Sequence, residues 1–133
     1  MDEIIKIKKV CQEHNLGLHL DGARLMNAIV ANKEDPKHYG NVFDTISVCL
    51  SKGLGAPMGT VLIGNSSLMK NAIRVRKVLG GGMRQVGFMA AAGLYAMEHQ
   101  VDRLEEDHQK AKQIALHLES LSYIKKVEPT QTN

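Results

Sequence analysis

The sequence contains no tryptophan, only 4% aromatic residues and two cysteines among its 133 residues. Scarce aromatic side chains argue against recognition of single-stranded nucleic acid, which depends on stacking of bases. The formal net charge is +3 and the basic residues are scattered, so no charged patch indicates a nucleic-acid or membrane partner. No apolar run is long enough to span a bilayer, and the charged start Met1-Asp2-Glu3 is unlike a signal peptide.

The two cysteines, Cys11 and Cys49, lie far apart and lack the CxxC spacing of a metal or redox pair. Both have apolar neighbours, so we expect buried free thiols in a reducing compartment, the cytoplasm. Five of the six histidines, among them His108, are expected at the surface or on helix faces, whereas His19, in the strand before Asp21, is expected to have a structural role. None has convincing ligand spacing, so no metal site is predicted.

Apolar residues at helical spacing predict most of the helices. The predicted ranges are 2–15, 23–31, from Ser66 or Ser67 to Leu79, 86–97 and 101–121. Asp35-Pro36 is typical of the start of a further helix or turn. Gly80-Gly81-Gly82 is expected to separate two of these helices.

Runs of β-branched and apolar residues predict strands over 16–20, 44–50 and 59–64, with another beginning in 124–127. The third strand follows the second too closely for a crossover helix, which favours an antiparallel pair. The order of helices and strands indicates an α/β protein. Three strands with long helices would leave apolar faces uncovered, so we expect the chain to belong to a larger fold or to pack on partners.

Two charged residues follow predicted strands, at the edge where open α/β sheets bind ligands. Asp21 of HLDGAR follows the first strand, with Arg24 in the next helical turn, and Lys52 of SVCLSKGLGAP follows the second. Taken singly, Asp21 could cap a helix, Arg24 could be solvated and Lys52 could extend into solvent. As a pair, a lysine and a carboxylate are what pyridoxal phosphate requires, one for an aldimine and one opposite the ring nitrogen.

The combination of HLDGARLMNA, SVCLSKGLGAPMGTVLIG and RKVLGGGMRQVGFMAAAGLYA resembles the low-specificity L-threonine aldolases over essentially the whole chain. The resemblance implies the fold-type-I architecture of pyridoxal-phosphate enzymes, an α/β fold with a mostly parallel sheet flanked by helices. It implies that residues 1–98 form the C-terminal portion of the cofactor-binding large domain. Residues 99–133 would then be the interdomain helix and the start of the small domain. A cytoplasmic homo-oligomer, a dimer of dimers, is also implied.

The family motifs carry over to individual residues of this sequence. The resemblance implies that Lys52 forms the aldimine with pyridoxal 5'-phosphate and that Asp21 faces the pyridine nitrogen. It implies that Arg24 contacts the cofactor's phenolic oxygen and the substrate carboxylate. Ser51 is implied to position the aldimine or phosphate, although a local turn hydrogen bond explains it equally well.

The arginine of GGGMRQ is Arg84, for which the resemblance implies a substrate-binding role. Lys77 could line the same site, but a solvated helix lysine is the more ordinary interpretation. The family's phosphate-binding Gly-Thr turn and its ring-stacking histidine have no counterpart in this sequence. We therefore expect the 133-residue chain by itself to be weakly active or inactive.

The implied reaction is retro-aldol cleavage of a β-hydroxy amino acid, L-threonine or L-allo-threonine, to glycine and acetaldehyde. Two alternatives stay open. Another fold-type-I enzyme, an aminotransferase or a β-eliminating lyase, would release a keto acid or ammonia instead. A non-catalytic module would only bind the cofactor or support oligomerisation.

Overall fold

A computed structural model describes residues 1–132 as six helices and three strands. In chain order these are α1 (Asp2–Glu13), β1 (His19–Gly22), α2 (Leu25–Asn32), α3 (Pro36–Val42), β2 (Thr45–Cys49), β3 (Thr60–Gly64), α4 (Ser66–Val78), α5 (Gly87–His99) and α6 (Leu104–Glu119). The α/β class expected from the sequence is confirmed. The strand expected to begin in 124–127 is wrong, because those residues form no regular element.

The three strands form one sheet in the order β1-β2-β3. β1 and β2 are parallel, with Asp21 opposite Ser47, whereas β2 and β3 are antiparallel, with Cys49 opposite Thr60. The antiparallel pairing predicted from the short connection is therefore confirmed. The sheet of the described residues is mixed, and β1 with β2 is its parallel part.

β1 lies further along the chain than the predicted strand over 16–20 and includes both Asp21 and Gly22. The reason is the close approach of β1 to β2 at Gly22. A Cβ atom at this position would lie 2.4 Å from the carbonyl oxygen of Ser47, so only glycine lets the pairing continue. Asp21 consequently belongs to the strand rather than to the turn after it.

Polar caps define where α3 and α4 begin. Asp35 caps α3 by accepting a hydrogen bond from the Lys37 N–H at 2.9 Å, as Asp35-Pro36 predicts. The cap of α4 is Asn65, whose side chain accepts from the Leu68 N–H at 2.9 Å. The prediction that Ser66 or Ser67 is the cap is wrong by one or two residues.

Two apolar clusters form the core. The first packs β2 against α2 and α3 and contains Leu25, Ile29, Tyr39, Ile46 and Val48. The second packs the segment after β2 against α5 and α6 and contains Leu50, Leu54, Ala56, Ala96 and Leu104. In contrast, α1 and α4 bury no residue. None of the helices within residues 1–132 is long and apolar enough to cross a membrane.

Cys11 and Cys49 are free thiols, as expected, but both are only half-buried. Side chains alternate between the two faces of a strand. Since Ile46 and Val48 point into the first cluster, Cys49 points to the opposite face. The expected full burial is therefore wrong for both cysteines.

Candidate functional site

Lys52 lies in a tight turn directly after β2. Its carbonyl oxygen accepts a hydrogen bond from the Gly55 N–H at 2.9 Å, and Gly55 has a φ of 69°, a value that favours glycine. The Ala56 N–H donates to the Leu50 carbonyl oxygen at 3.0 Å, which closes the segment. We call residues 50–56 the lysine loop.

The apolar residues of the lysine loop are buried and hold it in place, whereas its polar side chains are exposed to solvent. Leu54 is 3% exposed and Ala56 7% exposed, whereas Ser51 and Lys52 are exposed. Gly53 is pressed against two helices. A Cβ atom there would lie 2.8 Å from Asn27 Oδ1 and 2.9 Å from Leu104 Cδ2. The position of the loop is thus set by close packing on α2 and α6.

Asp21 lies on β1, beside β2, the strand that precedes Lys52, and it is near the carboxyl ends of both strands. It is exposed, and the register places it opposite Ser47 on the same sheet face as Cys49. The capping alternative for Asp21 is wrong, because the N-cap position of α2 is Arg24 and no side chain caps that helix. Among the described residues, no ion pair joins Asp21 and Lys52.

The Cys49 thiol is a feature of this edge that the sequence interpretation missed. Its Sγ lies 3.5 Å from Ser51 Oγ. Hydrogen bonds with the Ser51 hydroxyl and backbone lower the pKa of the Cys49 thiol, and the nearby charge of Lys52 lowers it further. The alternation of apolar and polar residues in TISVC was the signal that could have placed Cys49 on this face.

The predicted arginines occupy different places. Arg24 is exposed at the start of α2, close in the chain to Asp21. Arg84 is exposed in the segment between α4 and α5, and Lys77 is exposed on α4. Among the hydrogen bonds and ion pairs of residues 1–132, none joins Arg84 to Asp21 or Lys52. The structure therefore places Arg24 beside the strand ends but leaves Arg84 apart.

A buried polar pair lies behind the lysine loop, and sequence reasoning did not single it out. Asn27 of α2 is 3% exposed and His108 of α6 is 1% exposed. The His108 ring is thus more enclosed than a surface or helix-face position predicts. The signal in the sequence is the spacing of Leu104, His108 and Ala111, which puts all three on one face of a helix.

In residues 1–132, no group of three or more histidine, cysteine, aspartate or glutamate residues could hold a metal ion.

Comparison with known proteins decides the family. The sequence profile of the beta-eliminating lyases matches residues 1–133, the whole chain. The chain belongs to the beta-eliminating lyase family. This family member is 52% identical over 104 residues to the low specificity L-threonine aldolase of Escherichia coli. The aligned residues cover 78% of this chain and 31% of that enzyme. It is 41% identical over 134 residues to the low specificity L-threonine aldolase of Saccharomyces cerevisiae, covering 100% of the chain and 34% of the enzyme.

Solved structures agree with the family. A Listeria monocytogenes protein described as a candidate L-allo-threonine aldolase superposes with a TM-score of 0.84 at 28% identity, covering 91% of this chain and 34% of that one. The threonine aldolase of Leishmania major has the same fold, with a TM-score of 0.76 at 23% identity over 99% of this chain and 40% of that one. The beta-eliminating lyase chain thus spans about a third of the length of the curated relatives it matches.

Proposed function

We propose that this chain supplies the cofactor-attaching lysine of a pyridoxal-5'-phosphate-dependent aldehyde-lyase acting on L-threonine or L-allo-threonine. The observation that carries the proposal is the exposed Lys52 side chain on a loop whose apolar residues are buried. Lys52 and Asp21 lie near the carboxyl ends of neighbouring parallel strands, where open α/β sheets bind ligands. The names of the bacterial and yeast relatives support the substrate class.

The residues at this edge suit the cofactor by their chemistry. Pyridoxal phosphate needs a primary amine for covalent attachment and an acid to pair with its ring nitrogen. Lys52 would provide the amine and Asp21 the carboxylate, and both side chains are exposed. When bound, the cofactor supplies an electron sink for the Cα atom of an amino acid.

Three further side chains would bind or orient the ligands. The planar donors of the Arg24 guanidinium suit an amino-acid carboxylate and the phenolic oxygen of the cofactor. The Ser51 hydroxyl, adjacent to Lys52 in the chain, can donate or accept a hydrogen bond to the cofactor. Arg84 would bind the substrate carboxylate, which requires the segment between α4 and α5 to approach Lys52.

The proposed reaction breaks the bond between Cα and Cβ of a β-hydroxy amino acid. L-Threonine yields glycine and acetaldehyde, because the β-hydroxyl group loses its proton to a base and Cα gains one. An arginine that holds the carboxylate would fix the orientation of the bond that breaks. The contribution of this chain is therefore attachment and orientation.

We further propose a cytoplasmic homo-oligomer, a dimer of dimers, as implied by the resemblance to threonine aldolases. Two free cysteines accord with a reducing compartment. Residues 1–98 would belong to the large cofactor domain, and 99–133 would be the interdomain helix and start of the small domain. The break between the end of α5 at His99 and the start of α6 at Leu104 supports that boundary.

Chemical trapping tests the lysine assignment. The purified 133-residue chain is mixed with pyridoxal 5'-phosphate, reduced with borohydride, digested and mapped by mass spectrometry. We expect Lys52 to be labelled in preference to the other lysines. Lys52→Ala should abolish that label and the visible absorption band of the attached cofactor. Lys70→Ala, which removes an exposed lysine of α4, is the matched control and should change neither.

Product analysis of parallel samples that are not reduced separates the reactions. Glycine and acetaldehyde from L-threonine support the aldehyde-lyase. Keto acid and ammonia would favour the second candidate, a β-eliminating lyase, which the description of the matched family supports. Label on Lys52 without either product would support cofactor binding alone, which is also the result expected if the 133-residue chain is inactive by itself. Absence of a preferred label on Lys52 would overturn the proposal.

A further inference from the structure

The buried pair Asn27 and His108 has no part in the chemistry proposed above. Burial of a polar side chain costs free energy unless hydrogen bonds compensate, so a buried histidine requires an explanation. His108 is 1% exposed and stands on α6 one turn beyond Leu104, which is 0% exposed. Both residues therefore face the interior from one side of the helix.

His108 joins α6 to α2 through one hydrogen bond. Its Nε2 atom lies 3.1 Å from the backbone carbonyl oxygen of Asn27. A carbonyl oxygen can only accept, so Nε2 carries the proton and donates. Nδ1, the other ring nitrogen, is buried and has no hydrogen-bond partner among the described residues. Among the described residues, the imidazole of His108 is therefore held by the hydrogen bond from Nε2 to the Asn27 carbonyl oxygen.

The residue that His108 holds is the one against which the lysine loop packs. A Cβ atom on Gly53 would lie 2.8 Å from Asn27 Oδ1 and 3.2 Å from Asn27 Nδ2. Leu104 presses on Gly53 from α6, with its Cδ2 atom 2.9 Å from the same point. Gly53 directly follows Lys52, so a shift of α6 relative to α2 would reach the lysine through one peptide unit.

We infer that His108 is a positioning residue for Lys52. By holding the Asn27 carbonyl it keeps α2 and α6 together, and these two helices set the place of Gly53 and hence of the turn that presents the lysine. This inference rests on the proposed function of Lys52. His108 acts through Asn27 and Gly53 and does not itself touch the cofactor.

Two substitutions at position 108 separate the hydrogen bond from the volume of the ring. His108→Gln keeps an amide N–H donor near the position of Nε2. His108→Met has similar length and no donor. His117→Met is the matched control, because His117 is exposed on the same helix.

Hydrogen exchange in the 133-residue chain measures the loop without any cofactor. The Gly55 and Ala56 amides report on it, since they donate to the carbonyl oxygens of Lys52 and Leu50. We expect both amides to exchange about tenfold faster in His108→Met, the effect of one lost buried hydrogen bond. His108→Gln and the His117→Met control should exchange like the wild type.

Borohydride trapping with pyridoxal 5'-phosphate gives the second readout. The ratio of label on Lys52 to label on Lys70 compares the two sites within one molecule, so differences in protein or reagent concentration do not change it. We expect the ratio to fall about tenfold in His108→Met and to be retained in His108→Gln. A wild-type chain without a Lys52 label would defeat the proposed function, while the exchange measurement would still decide the role of His108.

Two results would overturn the inference. One is a His108→Met chain with wild-type exchange and labelling. The other is a loss in His108→Gln as large as in His108→Met, which would assign the effect to ring packing. If His108→Met does not fold, His108→Asn, whose shorter amide ends before the position of Nε2, takes its place in both measurements.

Discussion

The lysine loop and the segment around Arg84 both carry residues predicted to serve one site, but they are held very differently. In the loop, Leu54 and Ala56 are buried and hydrogen bonds close the turn around Lys52. The segment 80–86 is exposed throughout, and α4 before it buries no residue. Leu79, at the end of α4, is 80% exposed.

This difference shows that residues 1–132 hold the lysine loop in place by their own packing but do not hold the segment around Arg84. Packing in the second core cluster determines where the lysine loop lies. No comparable packing determines where Arg84 lies, and segments with few buried contacts open at low free-energy cost. The proposed role of Lys52 thus depends on contacts within residues 1–132, whereas that of Arg84 needs contacts these residues do not provide.

The largest effect should come from the leucine beneath the lysine loop. Leu104 is 0% exposed, so Leu104→Ala removes buried methyl groups and leaves a cavity. We expect the free energy of unfolding to fall by about 2–5 kcal/mol, measured by urea denaturation. Leu79→Ala, at an 80% exposed position, should change it by no more than about 0.5 kcal/mol. Equal losses in the two variants would contradict the comparison.

Alanine substitutions at two glycines test the contrast between the packed lysine loop and the open segment that leads into α5. Gly53→Ala would place Cβ within 2.9 Å of Asn27 and Leu104, so we expect destabilisation of about 1–3 kcal/mol. At Gly87, the first residue of α5, a Cβ atom would meet nothing within 4 Å. Gly87→Ala should therefore be neutral or stabilise by up to about 1 kcal/mol. Thermal unfolding followed by circular dichroism distinguishes these outcomes, and a neutral Gly53→Ala would refute the tight packing of the loop.

Asp44 tests whether the start of β2 is as firmly held as its end. Its Oδ2 accepts from the Leu18 N–H at 2.7 Å and from Lys8 Nζ at 2.9 Å. These hydrogen bonds, with the backbone one the larger cause, lower the pKa of the Asp44 carboxyl. The resulting stability is present above the pKa of the unfolded chain, about 3.9, and is lost as pH falls through the folded value.

Asp44→Asn should accordingly lower the free energy of unfolding by about 1–2 kcal/mol at pH 7. The difference in the free energy of unfolding between Asp44→Asn and the wild type should shrink as the solution is acidified. Urea denaturation at a series of pH values would measure this difference. Asp35→Asn is the control, since asparagine also caps helices well. A gap that stays constant down to pH 2 would exclude a role for the Asp44 charge.

The smallest effect is expected at Tyr39 in the first core cluster. Its hydroxyl donates a hydrogen bond to the Glu34 carboxylate. Burial is the main cause that raises the pKa of Tyr39 to about 12, and the hydrogen bond and negative charge of Glu34 raise it further. An unfolded tyrosine ionises near pH 10, so the stability is complete below about pH 10 and is lost as pH rises towards 12. Tyr39→Phe should cost about 1 kcal/mol at pH 7, with the gap narrowing over that alkaline range.

Tyr123→Phe is the control for that measurement, because Tyr123 is 76% exposed. Its stability should follow the wild type at every pH. A Tyr39→Phe chain that parallels the wild type from pH 9 to 12 would show that Tyr39 ionises as an ordinary tyrosine.

Several features of the site could be predicted because they are local in sequence. The run TISVC marks β2, and the glycines after Lys52 mark a turn, since both depend on neighbouring residues. The short connection to β3 was enough to predict an antiparallel pair. Asp35-Pro36 marked the start of α3 for the same local reason.

Other features depend on residues that are distant in the chain. β1 ends at Gly22 rather than at the predicted residue 20, because glycine allows a close approach to the backbone carbonyl oxygen of Ser47 on β2. His108 is buried because α6 packs on α2, and Asn27 and His108 are separated by 81 positions. Periodicity places His108 on a helix face but does not say what that face meets.

The sequence by itself determined the α/β class, the pairing of β2 with β3 and the motifs that assign the chain to its family, because these follow from patterns of adjacent residues. The tertiary structure decided that Asp21 belongs to β1 and that Cys49 shares its face of the sheet. It also decided that Gly53 is wedged between Asn27 and Leu104. The physical reason is steric: close packing brings distant residues within contact distance, and it is this packing that holds Lys52 where the sequence could only place it after a strand.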